Sequence, residues 1–286
     1  MLNVLVTGSD GQLGSELKDL EKDYTDYKFY FTNKKTLNIT DSQAVKHYVE
    51  KNNIDVIINC AAYTDVDKAE KDVEKCYRIN HDAVATIAKL AKSKAISLVH
   101  ISTDYVFDGK NVKPYLESDI PNPQTIYGKS KWAGENAVLN ENPEKSIIIR
   151  TSWLYSKYGN NFVRTMLKLA SNKKEVSIVE DQLGTPTNAR LLAKFILNVL
   201  HQLNNSAVEI YHFTNSGSCT WFEFSKTIFK SCGIDINVKP ILSSQYSTLA
   251  VRPSFSVLNN GKIKEKFAID IPNWKDSFFE YVLTIK

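Results

Sequence analysis

Residues 3–14 read Asn3-Val4-Leu5-Val6-Thr7-Gly8-Ser9-Asp10-Gly11-Gln12-Leu13-Gly14, an apolar run that leads directly into three spaced glycines. The apolar run predicts a buried strand, and the residues after it predict an amphipathic helix. In such a turn Gly8 permits the sharp bend, Gly11 lets the backbone approach a pyrophosphate at the helix N-terminus, and Gly14 allows close packing of helix on strand. We therefore predict a dinucleotide-binding turn, although a glycine pattern alone is also compatible with a purely structural one.

Apolar and helical segments alternate through the first half of the chain. Strands are predicted at residues 3–7, 28–31, 55–60, 97–101 and 147–150, and helices at residues 11–20, 42–52, 80–93 and 124–140. The strands are apolar almost throughout, because helices cover both faces of a doubly wound sheet. The fold class that we predict is α/β, with a doubly wound parallel Rossmann sheet.

The alternation loosens in the second half. Helices are predicted at residues 161–170, 189–203 and 221–232, and short strands at residues 176–179 and 210–213. We predict an NAD(P)-binding Rossmann domain at residues 1–151 and a smaller, interleaved α/β substrate-binding lobe at residues 152–286. No Pro/Gly-rich linker separates them, so we expect the chain to cross back into the first domain near residues 186–214.

Composition excludes several classes of function. The 286 residues carry a formal charge of only +4, with basic residues scattered among acids, so we expect no nucleic-acid partner. No apolar segment resembles a signal peptide or reaches the length of a spanning helix, so we expect no membrane association and a cytoplasmic location. Four cysteines and five histidines are dispersed along the chain, which predicts reduced thiols and no His- or Cys-bound metal.

The choice between nicotinamide cofactors is read after the second strand, where a carboxylate would bind the ribose of NAD and repel a 2′-phosphate. Here the chain has Phe31-Thr32-Asn33-Lys34-Lys35, without an acid. Lys34 is thus a candidate partner for the 2′-phosphate, although paired lysines after a strand are commonly just solvated. We expect NADPH, with NADH as a possible second cofactor.

Three further residues predict carbonyl reduction. Tyr127 and Lys131 lie at i and i+4 of a predicted helix and project from one face. Reduction needs a proton donor for the oxygen, and we expect Lys131 to lower the pKa of Tyr127 toward neutrality and to orient the cofactor ribose. Thr103 follows an apolar strand, at the sheet edge where ligands bind in such folds. We predict that Thr103, Tyr127 and Lys131 are catalytic; the alternative is an exposed helical pair and a capping threonine.

Several longer motifs resemble the dTDP-4-dehydrorhamnose reductase family of extended short-chain dehydrogenases. They are residues 59–70 (Asn-Cys-Ala-Ala-Tyr-Thr-Asp-Val-Asp-Lys-Ala-Glu), 102–109 (Ser-Thr-Asp-Tyr-Val-Phe-Asp-Gly), 150–155 (Arg-Thr-Ser-Trp-Leu-Tyr), 181–187 (Asp-Gln-Leu-Gly-Thr-Pro-Thr) and Arg252-Pro253. The resemblance implies NADPH-dependent reduction of the 4-keto group of dTDP-4-dehydro-L-rhamnose. It also implies two sets of contacts: with the cofactor from Gly11, Gln12, Leu13, Asn38, Ile39, Ala62, Tyr63, Thr64, Tyr127 and Lys131, and with the sugar nucleotide from Thr103, Asp104, Trp153 and Arg252.

Two positions depart from the family pattern. Asn38 stands where members commonly have Asp, although an amide still forms hydrogen bonds. Some members form a metal-bridged dimer through glutamates; Glu16 matches one such position, but Arg190 occupies another. A positively charged side chain at this position would repel Mg²⁺, which prefers oxygen ligands. We therefore predict no structural magnesium, and Mg²⁺ coordinated by Glu16 in a crystal would refute this prediction.

The sequence leaves other functions open. The chain could be another sugar-nucleotide reductase or an epimerase, because the Thr-Tyr-Lys set is common to the superfamily. It could also be a non-catalytic regulatory subunit, since the beta subunit of methionine adenosyltransferase belongs to the same subfamily. We expect a monomer or a homodimer.

Overall fold

A computed structural model describes residues 1–285. Its helices and strands follow one another along the chain as β1 (Leu2–Thr7), α1 (Gln12–Asp19), β2 (Tyr27–Thr32), α2 (Ser42–Lys51), β3 (Val56–Asn59), α3 (Val66–Ala69), α4 (Val73–Tyr77), α5 (Ala83–Lys94), β4 (Ser97–Thr103), α6 (Ile126–Glu141), β5 (Ile147–Thr151), β6 (Leu154–Tyr155), α7 (Phe162–Ala170), β7 (Glu175–Val179), β8 (Leu183–Gly184), β9 (Thr187–Asn188), α8 (Ala189–Val199), β10 (Glu209–His212), β11 (Cys219–Thr220), α9 (Trp221–Ser231), β12 (Asn237–Ile241), α10 (Gly261–Phe267) and α11 (Trp274–Ile285).

The central sheet has six strands in the order β10-β5-β4-β3-β1-β2. Every neighbouring pair in it is parallel. Strand β2 lies on one side of β1, and β3, β4, β5 and β10 follow one another on the other side. Ligands bind in the crevice at the carboxyl ends of the strands where the direction reverses, which here lies between β1 and β3. The predicted doubly wound α/β fold is confirmed.

Alternate residues of each central strand are buried on opposite faces of the sheet. In β1, Val4 and Val6 pack with α1, α8 and α10, whereas Leu5 packs with α2, α5 and α6. Both faces are covered, which is why the strand sequences are apolar without alternation. The centre of the sheet is therefore fully buried.

The second half of the chain contributes to two cores. Strand β10 pairs with β5 at the edge of the central sheet, and α8 packs beside α1. A separate core, centred on Tyr155, Phe224 and Phe278, joins α7, α9, α11 and the two-stranded sheet of β7 and β12. The sequence predicts no element after Cys232, whereas the structure has β12, α10 and α11 there. Within residues 1–285, no helix combines the length and the hydropathy needed to cross a bilayer.

Candidate active site

A cleft of about 740 Å³ opens at the carboxyl edge of the central sheet. Loops from both halves of the chain line it, together with the start of α6. Most of the predicted site residues lie in this lining: Gly8, Gly11, Gln12, Leu13, Gly14, Lys34, Asn38, Ile39, Ala62, Thr64, Thr103, Asp104, Tyr127, Lys131 and Trp153. Two predicted residues, Tyr63 and Arg252, do not lie in it.

The glycine turn leaves the first helix open to an anion. Gly8 has φ +66°, and a Cβ there would lie 2.7 Å from the Cα of Ala61. At Gly14 a Cβ would lie 2.5 Å from the carbonyl oxygen of Gly8. Helix α1 starts after Gly11 with neither a side-chain cap nor an acidic residue in its first turn. Its free N–H groups therefore face the cleft, and this arrangement suits a pyrophosphate.

After β2 the cleft wall carries an amide and a cation. Asn33 and Lys34 both line the cleft, and the Asn33 side chain donates a hydrogen bond of 2.8 Å to the carboxylate of Asp10. Lys75 and Arg78 add two more cations to the lining; the sequence reading had missed both. This end of the cleft is therefore electropositive, which favours a phosphorylated ligand.

Asn80 holds the loop between β3 and α3 in place. It lies in a π-helical turn, Arg78–Asp82, that interrupts the helix from α4 to α5. Its side chain accepts the Tyr63 N–H at 2.8 Å, donates to the Tyr63 carbonyl at 3.1 Å and donates to the Ser130 hydroxyl at 3.0 Å. The Tyr63 hydroxyl donates to Asp72. The backbone of Tyr63 is thus tied to the helix that carries Lys131, and its ring lies outside the cleft lining.

The three predicted catalytic residues meet at one end of the cleft. The Thr103 hydroxyl lies beside Tyr127 and donates to Asp104 Oδ1 at 2.9 Å. Burial raises the pKa of Tyr127 above its ordinary value. Burial also raises the pKa of Asp104, to about 6. At neutral pH Tyr127 is therefore protonated and can act as a proton donor.

Lys131 is buried, and its amino group does not contact Tyr127. Its Nζ donates to the carbonyl oxygen of Ile101 at 2.6 Å and lies 3.5 Å from His100 Nε2. Burial lowers the pKa of Lys131 to about 8. The expected lowering of the Tyr127 pKa toward neutrality is wrong for this arrangement, because burial raises it. A protonated Tyr127 suits the reducing direction.

An aromatic pair lines the cleft after β5. Trp153 has φ +45° and stacks on Trp221 with ring centroids 3.4 Å apart. A positive φ on a bulky residue is strained, and such strain is typical of ligand sites. Gly184 makes room for the indole, since a Cβ there would lie 2.4 Å from Trp153 Cε2. Trp221 and Gln182 also line the cleft; the sequence reading had not selected them.

Arg252 lies behind the cleft and braces its wall. The guanidinium donates to Asp67 Oδ2 at 2.7 Å and to the Tyr105 hydroxyl at 3.1 Å. The ring of Tyr105 packs edge-on against Tyr127, with centroids 5.5 Å apart. It is Pro253, the next residue, that lines the cleft. The motif therefore marked the right loop, but the structure places its proline, and not its arginine, against the ligand space.

Glu16, the candidate magnesium ligand, is buried and hydrogen-bonded. One carboxylate oxygen accepts from the Ser156 hydroxyl at 2.6 Å, and the other lies 3.3 Å from the guanidinium of Arg190. Across residues 1–285, no group of three or more His, Cys, Asp or Glu side chains has the arrangement of a metal site. The magnesium prediction stays a prediction, and the Arg190 contact supplies its physical basis.

Comparisons with known proteins identify the family. The family model "RmlD substrate binding domain" matches residues 2–286. The chain belongs to this family. It is 40% identical over 283 residues to the spore coat polysaccharide biosynthesis protein SpsK of Bacillus subtilis, with 99% of this chain and 97% of that protein covered. It is 37% identical over 292 residues to the dTDP-4-dehydrorhamnose reductase of Escherichia coli K12, with 96% and 95% covered. The predicted resemblance is confirmed.

Solved structures of family members superimpose closely. The dTDP-4-dehydrorhamnose reductase of Bacillus anthracis, solved in complex with NADP, has a TM-score of 0.94 and 38% identity, with 99% of this chain and 100% of that chain covered. The reductase of Clostridium acetobutylicum also gives a TM-score of 0.94 at 38% identity, with 99% of both chains covered. The dTDP-glucose 4,6-dehydratase of Bacillus anthracis, at 21% identity, shares the fold.

Proposed function

We propose that this chain reduces the 4-keto group of dTDP-4-dehydro-L-rhamnose with NADPH to give dTDP-L-rhamnose, a precursor of cell-surface polysaccharides. The observation that carries the proposal is the meeting of Thr103, Tyr127 and Lys131 in one cleft with the uncapped N-terminus of α1. The names of the family members support the substrate, and the NADP complex of the Bacillus anthracis reductase supports the cofactor.

The residues present fit a dinucleotide. Gly8, Gly11 and the first N–H groups of α1 would hold the pyrophosphate, and Lys34 would face the 2′-phosphate. Lys131 would donate to the nicotinamide ribose from its position beside Ile101. When bound, NADPH supplies the hydride that adds to C4 of the keto sugar. The sugar nucleotide would occupy the part of the cleft between Tyr127 and Trp153.

Tyr127 supplies the proton that completes the reduction. Thr103 lies beside Tyr127 and donates its own hydroxyl proton to Asp104. As hydride arrives at C4, the developing alkoxide takes the proton of Tyr127, and the C–O–H group of the product is complete.

The decisive experiment follows NADPH oxidation with dTDP-4-dehydro-L-rhamnose for wild type and Tyr127→Phe. We expect kcat to fall by about 10²–10⁴, the usual contribution of a general acid, while NADPH still binds. Tyr115→Phe is a matched control, since Tyr115 is a buried tyrosine that bonds to Asp108 and does not line the cleft. Equal rates for wild type and Tyr127→Phe would overturn the mechanism. A wild-type protein without turnover that binds a partner enzyme tightly would favour the regulatory-subunit alternative.

A second substrate belongs in the same assay. A relative from Streptomyces niveus, 35% identical over 271 residues, is named as a dTDP-4-keto-6-deoxy-D-glucose reductase. This keto sugar differs from the rhamnose precursor in stereochemistry and presents the same C4 carbonyl. We expect the rhamnose precursor to give the higher kcat/KM. A higher kcat/KM for dTDP-4-keto-6-deoxy-D-glucose would identify that sugar as the substrate instead.

The remaining assignments are also proposals. Residues 1–151 would bind the cofactor and residues 152–286 the substrate, and the protein would act in the cytoplasm as a monomer or a homodimer. The support for the division is that the glycine turn belongs to the first segment, while Trp153 and Trp221 belong to the second. Size-exclusion chromatography with light scattering measures the oligomeric state.

A further inference from the structure

A row of buried polar side chains crosses the central sheet beneath Lys131. Thr7, Asn59 and His100 lie side by side on β1, β3 and β4, and the strand register pairs Thr7 with Asn59 and Asn59 with His100. None is more than 1% exposed. Thr7 Oγ1 lies 2.6 Å from Asn59 Oδ1, Asn59 Nδ2 lies 3.1 Å from His100 Nδ1, and His100 Nε2 lies 3.5 Å from Lys131 Nζ. The row connects Lys131 to the residue that precedes Gly8.

Packing alone does not call for these residue types. The neighbouring positions on the same strands are apolar, as at Leu5, Ile57 and Leu98. Burying a polar side chain lowers stability unless each of its groups finds a partner, and apolar residues of similar size would avoid that requirement. The stability of the sheet therefore does not explain why these three positions are polar.

The hydrogen bonds of the row have a direction. Thr7 also accepts the N–H of Ala61 at 3.4 Å, so its own proton goes to Asn59 Oδ1. Asn59 then donates to His100 Nδ1, and a neutral imidazole carries its proton on Nε2, facing Lys131. In this arrangement Nε2 donates to a neutral Lys131 amine. If the Asn59 amide turns over, Nδ1 carries the proton, and Nε2 accepts from the Lys131 ammonium. This second arrangement suits the ammonium form of Lys131, and removing its acceptor would lower the pKa of Lys131.

The carbonyl oxygen of Ile101 accepts one proton of the Lys131 amino group at 2.6 Å, and His100 Nε2 lies near it as a second acceptor. Glu135 on α6, Cys60 just after β3 and Cys76 on α4 each favour the charged form of Lys131, but burial outweighs them. Glu135 forms its own buried ion pair with Arg150 at 2.7 Å. Burial and the charge of Lys131 together lower the pKa of His100 well below its usual range, so His100 stays neutral.

We propose that His100 is a positioning residue: with Asn59 and Thr7 it holds the charged amino group of Lys131 in the cofactor cleft. The row also ties this amino group to the phosphate-binding turn, because Thr7 directly precedes Gly8. The proposal rests on the proposed function only in assigning Lys131 to the cofactor ribose. Its test therefore uses cofactor binding, which requires no sugar substrate.

The test compares His100→Phe, which keeps a ring and removes both nitrogens, with His100→Gln, which keeps a donor and an acceptor. NADPH affinity is measured by fluorescence titration from pH 6 to pH 10. For His100→Phe we expect affinity to fall about tenfold, the value of one lost bond to a charged group, and its loss at high pH to begin about one pH unit below wild type. His100→Gln should restore most of both quantities. A folded His100→Phe with the wild-type profile, or a His100→Gln as impaired as His100→Phe, overturns the proposal.

Thr7→Val extends the test to the far end of the row. Valine has the shape of threonine and removes only the hydroxyl, and Thr7 does not line the cleft. If the row positions Lys131, Thr7→Val lowers the pH at which NADPH affinity is lost, as His100→Phe does, but by a smaller amount. If folded Thr7→Val loses NADPH affinity at the same high pH as wild type, the coupling along the row is overturned. This measurement can be made even if His100→Phe does not fold. Absence of sugar turnover in wild type would refute the proposed function and leave this result unaffected.

Discussion

Replacing Asp104 with asparagine should stabilise the protein relative to wild type as the pH rises from 4 to 7. Asp104 is 3% exposed, and the Thr103 hydroxyl donates to its Oδ1 at 2.9 Å. Burial raises its pKa from 3.8 to about 6. Below pH 3.8 both folded and unfolded chains carry the protonated acid, and Asp104 adds no pH dependence. Between pH 3.8 and 6 the folded state binds the extra proton, so stability falls as the pH rises.

The size of this effect follows from the separation of the two pKa values. A difference of about two pH units corresponds to about 3 kcal/mol of destabilisation, fully present above pH 6. The Asp104→Asn side chain does not ionise, so it removes this contribution. Its amide oxygen can still accept from Thr103, while its buried N–H₂ group costs about 1–3 kcal/mol at every pH. The difference between the two proteins should therefore change by about 3 kcal/mol across this pH range, whatever its absolute value.

Urea unfolding of both proteins at intervals between pH 4 and pH 7.5 measures this difference. Other titrating groups are common to both proteins and cancel, so the comparison isolates Asp104. Thr103→Val is a useful companion, because it removes the hydrogen bond to Asp104 and should raise the pKa of the carboxyl further. If the stability difference between Asp104→Asn and wild type does not change with pH, burial does not raise the pKa of Asp104 and the prediction is wrong.

Three other perturbations have defined outcomes. Arg150→Met leaves the carboxylate of Glu135 buried without its partner, so the free energy of unfolding should fall by about 3–5 kcal/mol in urea melts; a loss under 1 kcal/mol would contradict this. Gly184→Ala places a Cβ against the Trp153 ring, so KM for the keto sugar should rise about tenfold with a shifted tryptophan emission, and unchanged values of both would refute the contact. Lys34→Glu should weaken NADPH at least about tenfold relative to NADH in fluorescence titrations, whereas the same change at the following lysine, outside the cleft lining, should not.

The sequence predicts features whose geometry is local. Gly8 and Gly14 could be assigned because a turn between strand and helix fixes both positions within a few residues. Tyr127 and Lys131 could be paired because one helical turn separates them. Thr103 could be added because the end of a parallel strand defines which edge of the sheet it occupies. In each case the structure places the residue in the cleft lining.

Features that depend on distant segments were not predicted. Asn80 lies in a π-helical turn with no sequence signature, and it acts by bonding to Tyr63 and Ser130. Trp221 reaches the cleft by stacking on Trp153, from a helix that begins far along the chain. The contacts of both depend on tertiary packing. The pKa of Tyr127 was predicted in the wrong direction for the same reason, since a spacing of four residues reveals a possible ion pair and not the burial around it.

Burial shifts the pKa values of the titratable groups in and beneath the cleft so that each neutral form is favoured. It raises the pKa of Asp104 and Tyr127 and lowers the pKa of Lys131 and His100. A phenol that holds its proton at neutral pH is ready to give it to an alkoxide and poorly able to remove one from an alcohol. In this protonation state Tyr127 can act as the acid of a carbonyl reduction. Any negative charge that develops on the keto oxygen would meet, in this cleft, protonated Tyr127 and the amino group of Lys131, and burial strengthens both interactions.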